Sequence, residues 1–169
     1  MIRMVVIAFG LMLTHAQPSL AGEGKITQMA RQAGISACLS TIAKLEQHFG
    51  NKRSYGSWSF WSNKQTNKQP FNASMEISYK DGSTLVDFTV IPAADGTCSY
   101  AYTRTWYSPN DCIATAKHSF MSGAKHKGQI NTRILAFTLG AAEFLLQPAG
   151  TGCLVQKKEV GFQFAKQKP

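Results

Sequence analysis

Four cysteines, Cys38, Cys98, Cys112 and Cys153, stand in a chain of 169 residues, and no two are closer than Cys98 and Cys112. Widely spaced cysteines constrain this chain more than any other feature. Oxidised pairs hold distant segments with Cα atoms about 4.4–6.8 Å apart. The even count permits three pairings. Structural zinc sites draw on cysteines two to four residues apart, and no such spacing occurs. The expectation is two structural disulfides, with no metal and no cofactor.

Disulfides persist outside the reducing cytosol, and the N-terminus points to the same address. Residues 1–21 carry Arg3 as their only charged side chain, an apolar run from Met4 to Leu13, and the small residues Ser19 and Ala21 before Gly22. This is the pattern of a cleaved secretory signal, whereas a membrane span needs about 20 apolar residues. The chain is therefore expected to be periplasmic or secreted, with no transmembrane segment after signal removal. One domain should cover 22–165, with a loose tail over 166–169. Basic residues number 18 against 9 acidic ones, a surplus that favours acidic partners.

Apolar spacing predicts a first helix from about Ile26 to Phe49, with Ile35, Cys38, Leu39, Ile42, Leu45 and Phe49 on one face. Gly34 weakens its early turns. Strand patterns follow over 55–62, 71–79, 84–91 and 97–107. In the clearest, Phe71, Ala73, Met75, Ile77 and Tyr79 alternate with polar residues, and Asp81 with Gly82 turns it into a hairpin. Ser108, Pro109 and Asp111 suit a helix start, predicting a second helix to about Ser122. A basic loop holding Lys125, His126 and Lys127 then leads to strands near 133–139, 143–147 and 153–164. The expected fold class is α+β: an antiparallel meander sheet with two helices packed on one face, in the order helix, four strands, helix, three strands.

Two fragments recur in the same order. Cys38, Leu39, Ser40, Thr41, Ile42, Ala43, Lys44 is echoed by Cys112, Ile113, Ala114, Thr115, Ala116, Lys117. The turn from Val90 through Pro92 to Cys98 is echoed by the turn from Leu146 through Pro148 to Cys153. The echo suggests an internal duplication with halves over 35–107 and 108–164. A strand from Cys98 to Tyr107 spans about 30 Å at ~3.3 Å per residue, which disfavours Cys98 with Cys112 and its complement Cys38 with Cys153. The preferred pairing is Cys38–Cys98 with Cys112–Cys153, and helix to helix with strand to strand stays open.

No nucleophile elbow, paired-histidine zinc motif or phosphate-binding glycine pattern is present. The most suggestive segment is the fourth strand, where Tyr100, Tyr102, Arg104 and Trp106 share a face. An arginine among rings either stacks on them or fixes a carboxylate or phosphate. Trp58, Trp61 and Tyr107 are candidates for its rim, and Lys125 and Lys127 for a further anion contact. An enzyme reading gathers Asp111, His118 and Arg104 in a cleft. Asp111, however, already serves as a capping acid, about 10 Å along a helix from His118, too far for a direct acid/base pair. Specific nucleic-acid binding lacks a recognisable module or a basic stripe interleaved with aromatics. The reading is a non-catalytic extracytoplasmic binding protein engaging an acidic protein, glycan or lipid surface. The alternatives are a small secreted hydrolase or effector enzyme and a structural accessory of a cell-envelope complex.

Overall fold

Period-two alternation is clearest over 71–79, and the strands form one eight-stranded antiparallel sheet in the computed structural model, which describes residues 23–50 and 53–163. The signal-like stretch 1–21 and the tail 166–169 lie outside the described residues. The strands are β1 (Tyr55–Trp61), β2 (Phe71–Tyr79), β3 (Gly82–Pro92), β4 (Cys98–Ser108), β5 (Lys125–Ile130), β6 (Ile134–Leu139), β7 (Ala142–Ala149) and β8 (Gly152–Gln163). Their order across the sheet is β1-β2-β3-β4-β8-β7-β6-β5. The helices are α1 (Lys25–Gln32), α2 (Leu39–Gly50) and α3 (Cys112–Ala116), with one 3-10 turn at Ser119–Met121.

This architecture overturns the expected α+β layer of two helices on a seven-strand meander. Of the described residues, 20% are helical and 50% lie in strands, so the molecule is a sheet with small helices attached. The long first helix breaks in two because Gly34 (φ 77°) and Cys38 (φ 59°) both turn into the left-handed region, which ends helical hydrogen bonding. The second stops at Ala116, because His118 is extended (φ −66°, ψ 154°). The basic loop at Lys125, His126 and Lys127 is instead the start of β5. Pairing with β6, through an irregularity between His126 and Gly128, overrides its polar composition.

Paired residues share a sheet face, so the registers identify one face carrying all the helices. Phe71, Ala73, Met75 and Ile77 pair with Val90, Phe88, Val86 and Thr84, and all of these but Thr84 join Ile26, Ile42, Leu45 and Phe49 in the N-terminal core. A second core on the same face holds Cys112, Met121, Phe144, Leu146, Cys153 and Val155. Full burial of a side chain such as Phe88 or Leu146 contributes about 1.5–3 kcal/mol. Each core has its own disulfide. Cys38–Cys98 joins the start of α2 to the start of β4, and Cys112–Cys153 joins the start of α3 to the start of β8, with Cα separations of 5.7 and 5.0 Å.

A buried carboxylate docks α1. Glu46 on α2 is 3% exposed and accepts from the Ile26 and Thr27 amides at 2.7 and 2.8 Å. It also accepts from the Thr27 and Tyr55 hydroxyls. Helix N-termini present unpaired N–H groups and partial positive charge. Gly24 offers no side-chain cap there, and the α2 carboxylate takes that place. A Cβ on Gly24 would stand 2.2 Å from the Glu46 carboxyl carbon. Asn67 ties the β1–β2 loop to the α1–α2 link, accepting from Ser36 and Ala37 amides at 2.7 and 2.8 Å and donating to the Gly34 carbonyl at 3.1 Å.

The two halves meet at β4 and β8. In that ladder Cys98 faces Gln163 and Ser108 faces Cys153. Exchanging 98 with 153 and 108 with 163 therefore leaves the ladder unchanged. The exchange centres on the pair Thr103 and Lys158, where Lys158 Nζ donates to Thr103 Oγ1 at 3.1 Å. Positions 104 and 159 are equivalent in this exchange, and the chain puts an arginine in one and a glutamate in the other.

Candidate functional site

A polar seam separates the two cores on the helix-bearing face. Along β4 the inward residues run Tyr102, Arg104, Trp106, and along β8 they run Val155, Lys157, Glu159. The ladder pairs Tyr102 with Glu159, Arg104 with Lys157 and Trp106 with Val155. Tyr102 belongs to the N-terminal core and Trp106 packs on the C-terminal one. Arg104, Lys157 and Glu159 fill the gap between them.

The seam is wired internally except at Arg104. Lys157 Nζ lies 2.6 Å from Glu159 Oε1 and 5.9 Å from the Tyr102 ring centroid. Burial opposes ionisation of Glu159, but hydrogen bonds from Lys157 and Tyr102, together with the Lys157 charge, hold its carboxyl below the ordinary value of 4.5. That stabilisation is present above pH 4.5 and is lost as pH falls through the folded-state value. Arg104 is half-buried. Its guanidinium sits 5.3 Å from the Trp106 ring and 5.7 Å from the Tyr79 ring, and Nη2 donates to Tyr79 Oη at 3.3 Å. Among the described residues, the ion pairs within 4.0 Å are Arg31–Glu23 and Lys157–Glu159, so Arg104 has no carboxylate partner there.

Three adjoining depressions open along the seam. The largest, about 540 Å³, is lined by the charged side chains Arg104, Lys157 and Glu159 and by the rings of Trp106, Phe120 and Phe144, with Phe144 paired directly beside Lys157. Phe120 comes from the 3-10 turn, which sets its ring 5.5 Å from Trp106 and 6.4 Å from Phe144. Glu159 also borders a second depression of about 300 Å³, together with Lys44, His48 and Tyr102. Arg104 and Trp106 border a third, under the β2–β3 turn, with Tyr79 and Asp81.

Comparison with protein-family models, curated proteins and solved structures finds no match to this chain.

Of the candidate residues, Tyr100, Tyr102, Arg104 and Trp106 lie on the seam face, and Tyr100 folds over Gly161, where a Cβ would meet its ring at 2.4 Å. Trp61 is on the same face but across the sheet, stacked on Phe71 at 6.1 Å. Trp58 is on the opposite face and 73% exposed, as strand alternation requires of a residue three positions from Trp61. Tyr107 also points to that opposite face, over Gly152. Lys125 and Lys127 are exposed on β5 at the far edge of the sheet, outside the three depressions. The enzyme constellation does not assemble around Arg104. Asp111 caps α3 by accepting from the Ala114 amide at 2.8 Å, and exposed His118 packs on Phe120 with ring centroids 5.0 Å apart. Neither residue lines a depression that contains Arg104. No group of three or more His, Cys, Asp or Glu among the described residues is arranged to hold a metal ion.

Lys157, Glu159, Phe120 and Phe144 join the site without having been singled out in the sequence. The signal for the first two was present: from Cys153 and Val155, alternation carries 157 and 159 onto the buried face, where charges are unusual. Phe120 falls with Cys112, Ile113 and Ala116 on the apolar face of the expected second helix, but nothing local announces the 3-10 turn that aims its ring at the seam.

Two tyrosines carry a pH signature. Burial, reinforced by the hydrogen bond to Glu46, pushes Tyr55 up to about 12, and burial with the Glu159 hydrogen bond raises Tyr102 as well. Both should remain protonated in an ultraviolet titration past the ordinary tyrosine value of 10.0. Their stabilising effect is complete below pH 10 and is lost as pH rises through the folded-state values. If all five tyrosines titrated together near 10 in the folded protein, these environments would be wrong.

Proposed function

We propose that this chain is a non-catalytic extracytoplasmic binding protein, periplasmic or secreted, that takes an acidic group of its partner into the seam with Arg104 as the anchor. One observation carries the reading: a half-buried guanidinium, held by Tyr79 and Trp106, has no carboxylate partner among the described residues. Five N–H donors in a fixed fork match a carboxylate or phosphate, and one hydrogen bond to Tyr79 leaves most of them unused. The two disulfides suit an oxidising compartment, and the net charge of +9 favours encounter with acidic partners. No helix among the described residues is long and apolar enough to cross a membrane.

The test is a titration of the protein with a C-terminally amidated poly-glutamate peptide, followed by tryptophan fluorescence. Trp106 touches Arg104 and should report occupancy. Arg104→Ala is expected to weaken binding at least about tenfold, since a charge-assisted hydrogen bond contributes about 1.5–3 kcal/mol. Raising the salt concentration should weaken the wild type further. Identical titration curves for wild type and Arg104→Ala, both folded, would remove the proposal.

A further inference from the structure

We infer that the 540 Å³ depression is a subsite for a single carboxylate attached to a compact apolar group, the chemistry offered by the C-terminus of a peptide with an apolar last residue or by a short acyl chain. This rests on the reading that Arg104 anchors an acidic group, and it narrows that group.

Charge sets the first limit. The depression is lined by two cations, Arg104 and Lys157, and one acid, Glu159. Lys157 and Glu159 neutralise each other at 2.6 Å. The surplus is one positive charge, located on Arg104. A monoanion balances it, whereas a dianion would leave a charge uncompensated in a partly desolvated site. The planar guanidinium, pinned between two rings, offers the paired N–H geometry that a carboxylate accepts.

The apolar part of the depression sets the second limit. Trp106, Phe120, Phe144, Leu139 and Ala142 line it, with Phe144 and Ala142 buried. None of these side chains carries a charge or a hydroxyl, and the Trp106 indole N–H is their one polar group, so this part of the lining favours an apolar group. Ligand sites of about 300–1,000 Å³ combine such an apolar lining with a few convergent polar groups. Arg104 and the rings are contiguous because Trp106 is both the surface on which the guanidinium stacks and the neighbour of Phe120. A ligand held by both must carry its carboxylate close to its apolar part.

Four probes test this by calorimetry or Trp106 fluorescence: N-acetylphenylalanine, its amide, N-acetylglycine and decanoate. N-acetylphenylalanine should bind at least about tenfold more tightly than the amide, which lacks the charge, and than N-acetylglycine, which lacks the ring. Phe120→Ala should abolish the advantage over N-acetylglycine, and Arg104→Lys should narrow the advantage over the amide without abolishing it, because the charge stays while the paired N–H fork is lost. The lysine variant keeps the charge and the stem, so a folded comparison remains if Arg104→Ala is unstable. Tighter binding of decanoate than of N-acetylphenylalanine assigns the apolar group to an acyl chain, and the reverse order assigns it to a peptide C-terminus. Equal affinity for N-acetylphenylalanine and N-acetylglycine overturns the inference. If that occurs while poly-glutamate still binds through Arg104, the broader function stands. If neither class of probe binds, both readings fall.

Discussion

Replacing Glu46 with Ala is expected to cost about 3–5 kcal/mol of stability and to detach α1 from the rest of the molecule. The variant strips the acceptor from the Ile26 and Thr27 amides and from the Thr27 and Tyr55 hydroxyls. Each buried donor left unpaired costs about 1–3 kcal/mol, and water that enters to satisfy them must displace Ile26 and Ala30, both fully buried. A local cap cannot substitute, because the residue at the cap is Gly24. Glu46→Gln, which keeps one carbonyl acceptor but loses the charge facing the helix N-terminus, should fall between the Ala variant and wild type. Denaturant unfolding measures the loss, and amide exchange at Ile26 and Thr27 localises it. An Ala variant within about 1 kcal/mol of wild type, with those amides still protected, would show that the carboxylate is not what holds α1.

The sequence was most legible where the structure depends on local period. Strand β2 is visible in the alternation from Phe71 to Tyr79 because one of its faces is buried and the other is not. The same rule puts Tyr100, Tyr102, Arg104 and Trp106 on one face. It fails where long-range pairing decides. Lys125 to Lys127 looks like a loop until β6 pairs with it, and no local pattern announces that β4 will pair with β8, some fifty residues away. The helices are shorter than apolar spacing predicts for a related reason. Apolar spacing carries through Gly34 and Cys38, but a helix also needs right-handed backbone at every position, and Cys38 turns left-handed at the point where its sulfur meets Cys98. These elements together turn the expected α+β layer into an eight-stranded antiparallel sheet with small helices. At the seam, Arg104 stood out as a cation among rings, while Lys157 and Glu159 were hidden inside a charged tripeptide that reads as solvent-facing unless the strand is phased from Cys153.

The second large effect should come from the Cys112–Cys153 disulfide, and it should differ in kind from that of Cys38–Cys98. The chain-entropy estimate is similar for the two, about 4 kcal/mol each for separations of 41 and 60 residues. The cores behind them are unequal. Among the described residues the N-terminal core contains fifteen buried residues and the C-terminal core seven, so the C-terminal half has less burial to fall back on when its crosslink is removed. α3 is five residues long, too short to hold itself in place without tertiary contacts. Once Cys112 is released, α3 and the following 3-10 turn lose their tether to β8, and Phe120 leaves the seam with them. The double variant Cys112→Ser with Cys153→Ser is therefore expected to unfold β5 to β7 locally and to abolish Phe120-dependent binding at temperatures where β1 to β3 remain folded. Cys38→Ser with Cys98→Ser should lower global stability by a similar amount while leaving the aromatic wall intact. Residue-resolved hydrogen exchange together with the N-acetylphenylalanine titration separates the two outcomes. If the Cys112 and Cys153 variant kept exchange protection at Phe144 and Leu146 and bound the probe unchanged, the C-terminal core would be self-sufficient, and the disulfide would have no part in positioning the site.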